Sequence, residues 1–241
     1  MKAILPLFLA LLLHQANPSS LPDDMIGNVK VDPNGTALQV LETGDFHGDE
    51  VHLTTRTGWM ALIETHNHSV LRSVPIHTVR EHDEVVDEED LNAKSGRRIW
   101  IDGPKPIFLI RGLEASNPTT LGINRGGESM IGERTLSLGD RKYRLRFENP
   151  HSPVDGNSVP GPGSSLVLES GGILQTLAHF ENGGDRISIF WIGDLDGDGK
   201  LDLYLDISGH YNVANKVLFL SSRAKSGKLV QAVAVLTTSG C

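Results

Sequence analysis

Four aspartates crowd into one short stretch, Gly193-Asp194-Leu195-Asp196-Gly197-Asp198-Gly199-Lys200-Leu201-Asp202-Leu203, in the form D-x-D-x-D-G-x-x-D. A hard dication such as Ca2+ takes six to eight oxygens at about 2.3–2.6 Å. Carboxylates at alternate positions of a tight turn can converge on such a point. Asp194, Asp196 and Asp198 supply three of them, and Asp202 closes the shell. Gly199 allows the sharp turn that a side chain would obstruct, Gly197 adds slack, and the Lys200 carbonyl is placed to point inward. Left bare, four acids this close repel one another, so a cation relieves a real cost. The competing reading is an acidic hairpin with no bound metal.

An EF-hand begins in the same way but ends on Glu at its twelfth position. Counting from Asp194, the twelfth residue is Leu205, and the flanks read as strands rather than helices. The stretch instead resembles the calcium loop of FG-GAP and VCBS repeats, as in the integrin-type β-propeller. Phe190-Trp191-Ile192-Gly193 stands where that family has an aromatic-rich strand, and Leu201–Ile207 where it has an alternating one. The resemblance implies a Ca2+ ion held by the side chains of Asp194, Asp196, Asp198 and Asp202 and by the Lys200 backbone. It covers about 20 residues. Such repeats come several to a chain and this chain has one good copy, so a complete propeller is not expected.

Gly44-Asp45-Phe46-His47-Gly48-Asp49 echoes the first half of the motif, but Glu50 replaces its glycine and Leu53 its last acid. A surface hairpin of mixed charge is the better reading there. His66 and His68 would share one face of a strand and can chelate Zn2+, with His77 or His82 as a third ligand. Exposed histidines are the plainer alternative. The hydrolase elbow G-x-S-x-G, the phosphate loop and the dinucleotide fingerprint are absent.

Elements of strand type must position these residues. Tyr143, Leu145 and Phe147 alternate with Arg144, Arg146 and Glu148, and Leu201, Leu203, Leu205 and Ile207 alternate with Asp202, Tyr204, Asp206 and Ser208. That period of two is a strand signature. Ile187, Ile189 and Trp191 alternate with Ser188 and Phe190, which predicts two partly apolar faces. Further strands are expected at 38–41, 51–55, 59–64, 99–102, 107–111, 166–168, 217–220 and 229–236. With 26 Gly and 12 Pro in the chain, short strands and glycine-rich turns predict an all-β antiparallel fold of sandwich, barrel-like or meander type.

Residues 1–20 read as a signal peptide: Lys2, then the apolar run Ala3–Leu13 broken by Pro6, then a polar exit. The product is expected to be exported, either secreted or periplasmic. Residues 21–149 form an N-terminal β unit, 150–165 a Pro/Gly/Ser-rich linker or loop, and 166–241 a C-terminal β unit carrying the calcium loop. One domain with a long loop at 150–165 is the alternative. Residues 81–98 hold the densest charge run, expected to be a solvated loop.

The chain has 22 basic and 30 acidic residues, a formal net charge of −8. A nucleic-acid partner is therefore not expected. No apolar run reaches the roughly 18 residues of a membrane span. Cys241, the only cysteine, can join two chains in a disulfide dimer or stand exposed. The functional expectation is an exported calcium-binding β protein in which the ion is structural and nothing is catalysed. Two alternatives stay open. One is a secreted hydrolase with a carboxylate or histidine site. The other is a calcium-dependent adhesion module for a protein or polysaccharide partner.

Overall fold

A computed structural model of the chain describes residues 25–26, 29–30, 38–51, 53, 55–66, 68–114, 119–130, 132–149, 160–184, 187–208 and 212–239. The signal-like segment 1–20, most of the Pro/Gly/Ser-rich stretch and Cys241 lie outside them. Among the described residues no helix is long and apolar enough to cross a membrane, and every regular element is a strand.

In chain order the strands are β1 (Met25–Ile26), β2 (Val29–Lys30), β3 (Gln39–Leu41), β4 (Gly44–Phe46), β5 (Trp59–Glu64) and β6 (Ser69–Val74). There follow β7 (His77–Glu81), β8 (Gly96–Trp100), β9 (Phe108–Arg111), β10 (Thr119–Ser129), β11 (Arg134–Leu138) and β12 (Arg141–Glu148). The last six are β13 (Ser164–Ser170), β14 (Ile173–Phe180), β15 (Ser188–Asp194), β16 (Asp202–Asp206), β17 (Val213–Leu220) and β18 (Gln231–Ser239).

They form four antiparallel sheets. The largest has nine strands in the order β18-β17-β16-β15-β10-β6-β5-β9-β3, a second runs β11-β12-β13-β14, a third β4-β8-β7, and β1 pairs with β2. The fold is all-β, as the alternation predicts, and no sheet closes into a barrel. The large sheet draws strands from both sides of residues 150–165.

Two cores divide the apolar side chains, and β15 and β16 contribute to both. Leu201, Leu203, Leu205 and Ile207 pack with Tyr143, Leu145 and Phe147 of β12 and Leu166 and Leu168 of β13. Trp191 and Tyr204 belong to the other core, with Leu62, Ile99 and Phe108. Phe108 meets Tyr204 at 4.7 Å between ring centroids and Trp191 edge-on at 6.3 Å. Strict alternation would send Ile189 and Trp191 the same way. Instead the pairing with β16 is broken by a bulge between them. Ile189 faces the second core, while Phe190 and Trp191 both pack on the first. An extra residue in one strand reverses the side-chain parity beyond it.

The expected strand at 51–55 does not form at Val51, Leu53 or Thr55. The edge of the sheet is β3, and Val51 and Leu53 instead line a cleft of about 320 Å3 between β3 and β18. These two edges of the nine-stranded sheet lie near each other without pairing. Polar groups bridge the region: Tyr204 donates its hydroxyl to Glu42 at 3.0 Å, and Lys216 Nζ lies 2.6 Å from the other Glu42 oxygen.

Gly122 of β10 pairs with Gly193 of β15, and the Trp191 ring lies across it. A Cβ at Gly122 would stand 2.2 Å from the indole Cζ2. The indole cannot retreat, because it is fully buried. Gly122→Ala is therefore expected to destabilise the fold by about 1–3 kcal/mol through overpacking. The urea midpoint of the variant against wild type measures it, and an unchanged midpoint contradicts the close approach.

Candidate metal centre

Strand β15 ends on Asp194 and β16 begins on Asp202, so the D-x-D-x-D-G-x-x-D loop is the turn of the hairpin that both cores share. Its ends are anchored by apolar side chains: Leu195 and Leu201 are buried. The Leu201 N–H donates to the Tyr143 hydroxyl at 3.4 Å.

Asp194 winds the loop around its own carboxylate. Oδ1 accepts the N–H groups of Gly197 at 2.8 Å and Asp198 at 3.0 Å, and Oδ2 accepts that of Gly199 at 2.9 Å. Such short-range acceptance is why Asp favours turns. Gly197 and Gly199 have φ of +84° and +75°. A Cβ on Gly199 would meet nothing within 4 Å, so backbone conformation and not crowding demands glycine there.

Asp202 holds the base. Its Oδ2 accepts the Leu195 N–H at 2.7 Å. Its Oδ1 accepts the Ser221 N–H at 2.7 Å and the Ser221 hydroxyl at 2.9 Å. Burial pushes its pKa up to about 7, and the Asp196 charge adds to the rise against the opposing hydrogen bonds from Ser221 and Leu195. Asp196 accepts the Ser222 hydroxyl in a short hydrogen bond.

One carboxylate oxygen from each of Asp194, Asp196 and Asp202 lies within 4.8 Å of the others. No other group of three or more His, Cys, Asp or Glu gathers in this way among the described residues. Asp198 turns elsewhere. Its Oδ1 accepts the Lys200 N–H at 2.8 Å and lies 3.0 Å from the Ser221 hydroxyl oxygen, and its Oδ2 lies 3.4 Å from Lys200 Nζ. A shallow cleft of about 290 Å3 opens beside the loop, lined by Glu114, Asp196, Asp198, Ser222 and Arg223 among others. The converging donors are all carboxylate oxygens. That set suits a hard dication and lacks the nitrogen or sulfur that zinc or copper favours.

The sequence motif does not mark Ser221 and Ser222. They arrive from the end of β17, 19 and 26 positions along the chain from the carboxylates they meet. Tyr143 comes from a different sheet. Only their polar character amid apolar strands sets them apart in the sequence.

The other candidates separate. Asp45 pairs with Arg98 at 2.7 Å, and Asp49 faces Arg80 at 3.5 Å, so the echo of the motif points its acids at arginines. His66 and His68 lie in the turn between β5 and β6. His77 stacks on Trp100 and faces Asp102, while His82 faces the Ala93 carbonyl.

The run at 81–98 departs from the solvated loop expected of it, because Asp83 and Asp87 are buried. Asp87 Oδ2 accepts the N–H groups of Asp83 at 3.0 Å and Ser95 at 2.9 Å. Asp83 accepts those of Gly48 at 3.1 Å, Val85 at 3.0 Å and Val86 at 3.2 Å, and lies 2.9 Å from His47 Nδ1. Burial opposes the charge on Asp83, yet the His47 contact and the three backbone donors outweigh it and lower its pKa to about 2. The same hydrogen bond raises the pKa of His47. The chain matches no known protein family, no curated protein and no solved structure.

The His47–Asp83 pair carries a defined pH signature. The folded pKa of His47 lies above its ordinary 6.5, so its contribution is complete below about 6.5 and is lost as pH rises through the folded value. Asp83 contributes above its ordinary 3.8 and loses that contribution as pH falls toward 2. His47→Gln is therefore expected to melt below wild type by a margin about 1–3 °C wider at pH 5 than at pH 9. A margin that does not change with pH contradicts the pairing.

Proposed function

We propose that the protein is an exported calcium-binding β protein in which the ion is structural, locking the turn between β15 and β16. The observation that carries this reading is the convergence of the Asp194, Asp196 and Asp202 carboxylates at the tip of a hairpin buried on both faces. The motif itself supports calcium, and so does the all-oxygen donor set. In the manner of FG-GAP loops the Lys200 carbonyl would add a donor, and Asp198 would join only by giving up its contacts with Lys200 and Ser221; the cleft beside Asp196 and Asp198 is the path from solvent. Export rests on the signal-like residues 1–20.

Three buried carboxylates, Asp194, Asp196 and Asp202, share the loop. Concentrating negative charge away from water is unfavourable unless it is paired or coordinated to metal. A dication supplies that pairing, and because the loop also bonds Ser221 and Ser222, the same ion would steady the connection between β17 and β18.

Extracellular calcium sites bind at about 0.1–1 mM. With a Kd of about 0.1 mM and about 1 mM free calcium, linkage contributes about 1.4 kcal/mol. The melting temperature is then expected to rise by about 3–6 °C from EDTA to millimolar calcium, and Asp196→Ala is expected to lose the rise. Identical melting in EDTA and calcium for the wild type would leave the loop an acidic hairpin and remove the proposal.

A further inference from the structure

Arg97 and Arg98 are neighbours on β8 and face opposite ways. Arg98 is fully engaged, with Nε at 2.7 Å from Asp45 and a terminal nitrogen 3.3 Å from Glu81. Arg97 shares its face with Ile99, a core residue. Its cross-strand partners are Phe46 on β4 and Arg80 on β7. Like charges directly opposite on adjacent strands repel, so this register costs stability unless something negative sits between them.

The Arg97 side chain is half-buried. Its Nε is shut off from solvent and has no hydrogen-bond partner among the described residues. A buried N–H donor without an acceptor is uncommon and unfavourable. Burial and the Arg80 charge lower the pKa of Arg97, Asp49 opposes them, and Arg56 adds to the lowering. Asp49 is exposed and already faces Arg80 at 3.5 Å. Arg80 is tethered by the Gly48 carbonyl at 3.2 Å and by a short hydrogen bond to the Ser95 carbonyl, which fixes its charge beside Arg97. This basic spot lies on a chain of net charge −8.

We propose that Arg97, with Arg80 across the strand pair, binds an oxyanion of the phosphate or sulfate type. A planar guanidinium donates in a fixed fork that matches the oxygens of such a group. The oxyanion accepts hydrogen bonds from the Arg97 guanidinium, whose Nε now has no acceptor among the described residues, and screens Arg97 from Arg80. A metal cation is excluded by the sign of the local charge, and an apolar ligand would leave Nε without an acceptor. The site lies on the β4-β8-β7 sheet and makes no use of the aspartate loop.

The test is thermal melting of the purified protein with inorganic phosphate, inorganic sulfate or chloride at matched ionic strength, beside Arg97→Met and Arg98→Met. At ten times the dissociation constant the oxyanion is expected to raise the wild-type melting temperature by about 3–6 °C over chloride. The larger of the phosphate and sulfate rises identifies the preferred ion. Arg97→Met removes an unsatisfied donor and a like-charge neighbour, so it is expected to melt no lower than wild type in chloride and to lose the oxyanion response. Arg98→Met is expected to keep the response. Titration calorimetry of the wild type, read without any variant, should give saturable binding of one ion per chain. A rise no greater in phosphate and sulfate than in chloride, or an equal rise in Arg97→Met, overturns the proposal.

Discussion

Strands β15 and β16 meet side chains on both faces. One face presents Trp191 and Tyr204 to the core formed with β5, β8 and β9, and the other presents Ile189, Leu203 and Leu205 to the core formed with β12 and β13. A sheet solvated on one side can leave the end of a hairpin to water. Here the tip is exposed at Gly197 and Gly199, but the buried donors at its base, Leu195 and Ser221, must be satisfied internally. Asp194 and Asp202 meet that demand. Between them they accept the N–H groups of Leu195, Gly197, Asp198, Gly199 and Ser221. The aspartate loop is therefore part of the scaffold before it is a ligand set, and any ion it holds would act on a turn that both cores already restrain.

Aspartate behaves in opposite ways at two places in this fold, and environment decides which. Asp83 and Asp202 are both buried and both accept backbone N–H groups. Asp83 also has a histidine at 2.9 Å and sits low, at about 2. Asp202 has the Asp196 carboxylate beside it, no cationic neighbour among the causes of its shift, and sits high, at about 7. Burial disfavours the charged form of each; at Asp83 the hydrogen bonds from His47 and three backbone N–H groups outweigh it, while at Asp202 those from Ser221 and Leu195 do not and the Asp196 charge adds to the rise. A positive charge missing at Asp202 is what a bound dication would supply.

The same dependence on facing appears in the arginines of β8. Side chains alternate across a strand, so Arg98 reaches the carboxylates of Asp45 and Glu81 while Arg97 is turned toward Phe46 and Arg80. One residue of displacement separates a satisfied surface cation from a half-buried one with an unused donor. The Trp191 bulge uses the same parity on the apolar side: it sends two consecutive aromatics into one core and leaves Ile189 in the other.

Much of the local structure was legible in the residues. The alternation of Tyr143, Leu145 and Phe147 marked a strand and its buried face; that of Leu201, Leu203, Leu205 and Ile207 marked a strand and one buried face, but not the burial of Asp202 and Tyr204 on the other. The spacing predicted that Asp194, Asp196, Asp198 and Asp202 converge; the oxygens of Asp194, Asp196 and Asp202 do so, while Asp198 is held by Lys200. Other features depended on contacts distant in sequence, which no local pattern encodes. The pairing of β10 with β15 places Gly122 under Trp191, and the end of β17 brings Ser221 and Ser222 to the aspartates. Two acids of a charged run became buried caps because backbone donors from Gly48 and Ser95 converge on them. By itself the sequence determined strand character and the chemistry at the hairpin tip, both set by neighbours a few residues apart. The tertiary structure alone decided which strands share a sheet, which faces are buried and which charges meet, because those follow from packing between segments that the chain keeps far apart.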